Sequence, residues 1–216
     1  MKRKIIILIS VCAFFLNSCL DLSIDIQMNR DGSGKLNMEY KISNTLSNMG
    51  SLDGNASQPA IPLSRQDFER TINRIPGLKL SSYSSRETLK ENIINITLSF
   101  SNSQALLAFL NSGSSFASVT HKEASGNLDI IIYNKPNPLY DENLISLLRS
   151  LYNEYNFSIS FSANSDSALI ITDGNGNTIP SPSSASVITS GRKVSFSIGI
   201  LDLLEIKNGL GFKFNW

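Results

Sequence analysis

The sequence has very few of the residues that form covalent cross-links or bind metal ions. Its 216 residues include two cysteines and one histidine, His121. Cys12 lies in an apolar segment near the amino terminus, so a chain that loses this segment keeps only Cys19 and forms no internal disulfide. Zinc, copper and haem sites draw on several His or Cys ligands. The composition therefore predicts no metal site and no cofactor.

A surplus of positive charge is also missing. The chain carries 19 basic and 18 acidic residues, and removal of residues 1–18 would leave 16 basic against 18 acidic. Binding to nucleic acid or to anionic lipid through charge requires a basic excess. The sequence therefore predicts no nucleic-acid partner.

No apolar run is long enough to cross a membrane. The longest extends from Ile5 to Leu16, follows three basic residues and ends in Leu16-Asn17-Ser18-Cys19. A membrane span takes roughly 20 apolar residues, whereas a basic region, a short apolar region and small residues at a cleavage point define a removable secretory signal. We therefore expect residues 1–18 to be a removable signal, with an uncleaved transmembrane helix as one alternative.

The end of this segment resembles the lipobox of bacterial lipoproteins, in which the cysteine receives a diacylglycerol and becomes the new amino terminus. The predicted lipidation site is Cys19, and a nonlipidated secreted protein is the second alternative. One acyl chain, such as palmitate, binds a membrane weakly, at about 0.8 kcal/mol per buried methylene, so durable attachment takes two or three chains. The resemblance implies a lipid-anchored protein of the bacterial cell envelope, on the inner or the outer membrane.

Hydrophobic alternation predicts strands directly after Cys19. Apolar residues occupy every second position from Leu20 to Met28 and from Leu36 to Ile42, on both sides of the turn Asp31-Gly32-Ser33-Gly34. This period of two predicts a β-hairpin with one buried face. A loop is expected over residues 43–62, followed by a helix capped by Ser64, with Asp67 three residues later.

In the rest of the chain, predicted hairpins continue to alternate with predicted helices. Strands are predicted near 78–84, 91–100, 115–122 and 128–134, with a short helix around Leu106. The strongest helix is predicted over 142–155, with Leu147, Leu148 and Leu151 buried and Tyr155 on the same apolar stripe. Strands near Phe157–Phe161, Val194–Ile200 and Leu210–Trp216 make the last third all-β.

These elements predict an α+β fold. It would contain an antiparallel sheet built from successive hairpins, with helices packed on one face. The expected division is a signal at 1–18, a hairpin and helix domain at 19–155, and a β-rich part at 156–216. That last part either extends the sheet or forms a small subdomain.

Candidate chemical motifs are better explained as turns, caps or core positions. Asp173-Gly174-Asn175-Gly176-Asn177 resembles the start of a calcium loop but lacks the glycine and glutamate that an EF-hand loop needs, so a turn is predicted. Gly32-Ser33-Gly34-Lys35 is a turn and not a phosphate loop.

His121 is predicted to be a half-buried core residue, and a catalytic role for it stays open. The pair Asp141-Glu142 suits a helix N-terminus, and the pair Asp202-Glu205 suits a short helical turn. No catalytic, cofactor-binding or metal-binding residue is therefore assigned.

Three features together resemble the LppM-like group of bacterial envelope lipoproteins. They are the lipobox, the strand pair around Asp31-Gly32-Ser33-Gly34, and the closing strands from Ser190-Gly191-Arg192-Lys193 to Trp216. The chain departs from the group because no membrane segment follows its last strand. The resemblance implies a lipoprotein and supplies no reaction or catalytic residues.

Three functions remain open from sequence. The first is a noncatalytic binding or structural module that contacts an envelope protein through sheet faces rich in Ser and Asn. The second is a carrier of lipid or of a small apolar ligand, held in a crevice beside the helix at 142–155. The third, a hydrolase, would need a catalytic group around His121.

Overall fold

The computed structural model describes residues 20–44, 64–111, 117–122, 127–132, 149, 155–163, 166–206 and 209–215. The strands are β1 (Leu20–Met28), β2 (Gly34–Ser43), β3 (Leu78–Glu87), β4 (Glu91–Phe100), β5 (Ala117–Lys122), β6 (Asn127–Ile132), β7 (Asn156–Ser162), β8 (Ala168–Asp173), β9 (Ser186–Ser190), β10 (Lys193–Gly199) and β11 (Leu210–Asn215). The helices with described bounds are α1 (Arg65–Ile72), α2 (Ser103–Asn111) and α3 (Ile200–Glu205).

The strands form two sheets. The larger has seven strands in the order β3-β4-β2-β1-β7-β10-β9, and the smaller has four in the order β5-β6-β11-β8. The prediction of an α+β chain rich in strands is confirmed in this outline. The prediction of an antiparallel sheet needs a correction, because β1 and β7 pair in parallel from Leu22 opposite Phe157 to Gln27 opposite Ser162. Period-two alternation is common to both pairing directions, so it does not distinguish them.

The first hairpin forms as its alternation predicts. β1 and β2 pair antiparallel over their whole length, from Leu20 opposite Ile42 to Met28 opposite Gly34. In the turn, the carboxylate of Asp31 accepts from the backbone N–H of Ser33 at 3.0 Å, and Gly32 takes a φ of 78°. That left-handed conformation favours glycine, which explains the residue at this position.

Helix α1 begins at the predicted cap. The Ser64 hydroxyl accepts from the backbone N–H of Asp67, and the Asp67 carboxylate accepts from the backbone N–H of Ser64, which completes a capping box. Phe68 is buried, and its ring lies 6.3 Å from Tyr40 and 6.1 Å from Tyr83, between ring centroids. The helix therefore packs on the apolar face of the larger sheet.

The same face also carries the smaller sheet. Aromatic side chains of β7 and β10 meet those of β11, with ring centroids 5.0 Å apart for Phe161 and Phe214 and 4.8 Å apart for Phe196 and Phe212. All four rings are fully buried. The core thus lies between the two sheets near β11 and beneath α1 near β2.

Two parts of the predicted secondary structure differ from the fold. Strands β8 and β9 were not expected, since Ala168–Asp173 lacks clear alternation and Ser186–Ser190 is short and polar at both ends. Ile200 begins α3 and does not continue β10.

The strongest predicted helix lies mostly outside the described residues. Arg149 is helical, while Tyr155 is not, and the Tyr155 carbonyl accepts from the Ile200 backbone N–H at 3.0 Å. The predicted helix therefore does not include Tyr155. The predicted burial of Leu147, Leu148 and Leu151 concerns residues outside the described ranges.

Candidate functional site

The second face of the seven-stranded sheet is polar and half-exposed. Apolar residues of each central strand point to the core, so the residues between them share the opposite face. This face, called here the polar face, is formed by the side chains of Asp21, Ser23, Asp25, Gln27, Asn37, Glu39, Lys41, Thr97, Ser158, Ser160, Ser162, Lys193, Ser195 and Ser197. Among the described elements, α1 and β11 pack on the apolar face instead.

Asp25 lies at the centre of a hydrogen-bonded network on the polar face. Its Oδ2 accepts from Gln27 Nε2 at 3.0 Å and from Asn37 Nδ2 at 3.4 Å. Its Oδ1 lies 2.9 Å from Lys193 Nζ. The network continues to β4, because Thr97 Oγ1 donates to Asn37 Oδ1 at 3.0 Å. Four strands are thus connected through their side chains.

The environment of Asp25 favours its ionised form. Burial raises the pKa of this carboxyl, since its side chain is only 22% exposed. The hydrogen bond and charge of Lys193, with the amides of Gln27 and Asn37, act in the opposite direction and leave the pKa below its ordinary value. Asp25 is therefore a fixed negative charge at neutral pH.

A second ion pair lies towards the end of β1 that follows Cys19. Lys41 Nζ is 2.9 Å from Asp21 Oδ2 and 4.0 Å from Glu39 Oε1. The hydrogen bond to Asp21 raises the pKa of Lys41. The two ion pairs thus have their carboxylates on β1 and their lysines on opposite sides of it, Lys41 on β2 and Lys193 on β10.

Serine hydroxyls cover the part of the polar face formed by β7 and β10. Ser160 and Ser195 lie directly opposite each other, and their hydroxyl oxygens are 2.8 Å apart. Each hydroxyl is both a donor and an acceptor. The polar face therefore offers rows of hydrogen-bonding groups beside two partly exposed ion pairs, which suits binding to a polar surface.

The sequence left this network unidentified. Alternation places Asp25 and Lys193 on the polar sides of their own strands. Their contact depends on β10 lying two strands from β1, and that strand order rests on parallel pairing between β1 and β7. The periodicity of the sequence carries no signal for such long-range order.

The predicted lipidation site, Cys19, lies outside the described residues. The next residue, Leu20, is already the first of β1. None of the described helices is long and apolar enough to cross a membrane.

His121 lies in β5, opposite Leu128 of β6. Only its backbone is described, so the predicted half-burial of its side chain stays a prediction.

The loop at Asp173 is a turn, as predicted. Asp173 Oδ1 accepts from the backbone N–H groups of Asn175 and Asn177, both at 2.9 Å, and Oδ2 accepts from Asn177 Nδ2 at 3.1 Å. These hydrogen bonds lower the pKa of Asp173. Gly176 takes a φ of 84°, the left-handed conformation expected in such a turn. The carboxylate that resembled a calcium ligand therefore stabilises its own loop.

The acidic pair of α3 binds an arginine. Arg149 lies 2.7 Å from Asp202 Oδ1 and 2.8 Å from Glu205 Oε2. The prediction that Asp202 and Glu205 occupy a short helical turn is confirmed. The second pair, Asp141 and Glu142, lies outside the described residues.

An open cleft of about 410 Å³ lies between α1 and β3. It is lined by Glu69, Ile72, Asn73, Leu78, Lys79 and Leu80. This lining is mixed in polarity. These lining residues belong to α1, to β3 or to the segment between them, whereas most of the helix predicted at 142–155 lies outside the described residues.

No protein-family model matches this chain, and no curated protein sequence is significantly similar to it. Among solved structures, the chain is similar to the folded domain of LppM from Mycobacterium tuberculosis, determined by NMR. The TM-score is 0.46 and the identity 7%, over 92% of this chain and 90% of that one. This is a weak likeness in fold, and nothing about function follows from it.

Proposed function

We propose that this protein is a bacterial envelope lipoprotein, anchored through acyl chains on Cys19, and that its folded part is a noncatalytic binding or structural module. The anchor is supported by the ending Leu16-Asn17-Ser18-Cys19 after a basic and apolar signal. The described strand β1 includes Leu20, the residue after the predicted attachment point, so such an anchor would hold the larger sheet close to the membrane.

The observation that carries the binding role is the polar face. On this face Lys193, Asp25, Asn37 and Thr97 form a continuous network of side-chain contacts across the sheet. Ordered donors and acceptors lose little conformational freedom on binding, which reduces the entropic cost of forming a complex. An envelope protein with a polar surface is the partner that this chemistry fits.

The anchor is tested in cells that express the full chain. Growth with a radioactive fatty acid should label the wild-type protein, and Cys19→Ala should abolish the label and either release the protein from membranes or leave an uncleaved precursor. The absence of label on the wild-type protein would contradict the anchor.

The binding role is measured by placing a photo-crosslinking amino acid at Ser158, on the polar face. Its control is Gln66, an exposed residue of α1 on the other side of the sheet. We expect a discrete crosslinked product from position 158 and none from position 66. Equal crosslinking at both positions, or none at 158, would show that the polar face is not the contact surface.

A further inference from the structure

The tip of the β3–β4 hairpin lies at the same end of the larger sheet as the predicted anchor. Leu20 pairs with Ile42 of β2, and Ile42 pairs with Asn92 of β4. Neighbouring strands are about 4.8 Å apart, so Asn92 lies about 10 Å to the side of Leu20. The hairpin then continues past this level to its turn at Leu89 and Lys90.

This tip is a hydrogen-bonded turn that carries the apolar side chain of Leu89 at its end. The Thr88 backbone N–H donates to the Glu91 carbonyl at 2.8 Å. Asn44, the residue after β2, donates its backbone N–H to the Lys90 carbonyl at 2.9 Å and its side-chain amide to the Thr88 carbonyl at 2.8 Å. Within the described ranges, three large hydrophobic side chains are exposed: Leu89, Val187 and Ile188. Leu89 is the most exposed, at 101%.

We propose that Leu89 is a second membrane contact, which inserts into the interface of the membrane that holds Cys19. The inference rests on the proposed lipid anchor. One residue spans at most about 3.6 Å, so a diacylglycerol on Cys19 brings the Leu20 end of the sheet to the lipid headgroups. Leu89 lies at that end, within reach of a region in which amphipathic segments bury their apolar side chains by about 5–10 Å.

The attraction comes from the apolar side chain and not from net charge. Arg86 and Lys90 lie near the tip, and Glu87 and Glu91 balance them. Contact with the membrane should therefore persist on zwitterionic lipid and at high salt, since screening weakens only the electrostatic part of an interaction.

The opposite end of the sheet supplies a matched control. β1 has nine residues, which at about 3.3 Å each places the β1–β2 turn about 30 Å from Leu20. Arg30 is exposed in that turn, and Ser84 is exposed on β3, five residues before Leu89. In the lipidated protein the Cys19 sulfur is in a thioether and Cys12 has left with the signal, so one introduced cysteine can be labelled specifically.

The experiment uses the lipidated protein, purified after removal of the signal, in phosphatidylcholine vesicles. Leu89→Cys, Ser84→Cys and Arg30→Cys each carry an environment-sensitive fluorophore, and brominated lipid serves as the quencher. We expect a blue-shifted, strongly quenched probe at position 89, weaker quenching at 84 and a water-like probe at 30. High salt should leave this order unchanged. Thermal melting should match the wild type for all three variants, because each replaced side chain is exposed.

The outcomes distinguish a failure of the proposed Leu89 contact from a failure of the proposed lipid anchor. Fatty-acid label and vesicle flotation report the anchor independently of the probes. If the protein is labelled and floats while position 89 remains water-like, or is quenched no more than position 30, the membrane contact of Leu89 is wrong and the anchor stands. If the protein carries no fatty acid, the anchor and the contact are both overturned.

Discussion

At the scale of a single residue, Asp25 is the centre of the hydrogen-bonded network on the polar face. Its partners come from β1, β2 and β10, and they bind the carboxylate in its ionised form. Removing the charge would leave Lys193 without its partner and would weaken the amide contacts. Hydrogen bonds to charged groups contribute about 1.5–3 kcal/mol, and partial exposure lowers this figure.

Asp25→Asn should therefore lower the free energy of unfolding at pH 7 by about 1 kcal/mol. The pKa of Asp25 is lowered in the folded state, so the unfolded state binds more protons and the contribution is present above the unfolded value of about 4. It is lost as the pH falls through the folded pKa. Urea unfolding from pH 7 to pH 3 should show a difference between variant and wild type that is constant above about pH 5 and shrinks below about pH 4.

The control for this prediction is Ser197→Ala, a change of similar size on the same face with no charge involved. Its effect on unfolding should be small and independent of pH. A difference between Asp25→Asn and wild type that persists unchanged to pH 3 would show that the ionised carboxylate does not stabilise the fold.

At the scale of the element, α1 shows how far local sequence determines structure. Ser64 and Asp67 satisfy backbone groups of the first turn reciprocally. Replacing a capping serine by alanine costs about 0.5–2 kcal/mol, because a backbone N–H loses its acceptor. Ser64→Ala should therefore lower the free energy of unfolding by about 1 kcal/mol.

Ser64→Thr is the matched variant for the cap, since its hydroxyl accepts the same backbone hydrogen bond and still donates to Asp67. Denaturant unfolding should place it within a few tenths of a kcal/mol of the wild type. Equal losses of stability for Ser64→Ala and Ser64→Thr would show that the cap hydrogen bond is not what stabilises the helix.

Elements were predictable where the signal is local. The first hairpin and the α1 cap depend on residues a few positions apart, and both were predicted correctly. β8 was not, because Leu169, Ile170 and Ile171 are consecutive apolar residues and give no alternation. β9 was not, because Val187 and Ile188 are adjacent apolar residues on an exposed edge strand.

The candidate site was less predictable than the elements that form it. Sequence alternation places Asp25, Asn37, Thr97 and Lys193 on polar strand faces. It gives no order of strands, and the contact of Lys193 with Asp25 requires β7 to lie between β10 and β1. That order depends on the parallel pairing of Leu22 with Phe157, two residues that are distant in sequence.

At the scale of the molecule, the two sheets are joined through β11. Phe212 is fully buried, and its ring centroid lies 4.8 Å from Phe196 of β10 and 6.0 Å from Phe157 of β7. β11 itself pairs with β6 and β8 in the smaller sheet. Phe212 thus belongs to one sheet and packs on the other.

Phe212→Ala should destabilise both sheets together. Truncation of a buried phenylalanine typically costs about 3–5 kcal/mol, a large part of the roughly 5–15 kcal/mol that stabilises a domain. We expect a large fall in the denaturant midpoint. Fluorescence labels at Ser84 in the larger sheet and at Asn175 beside the smaller one should report coincident transitions, because loss of the shared aromatic contacts weakens both sides at once. Ile188→Ala, at an apolar side chain that is 61% exposed, should change the midpoint little. Two separate transitions in the Phe212 variant would instead show that each sheet is stable without the packing through β11.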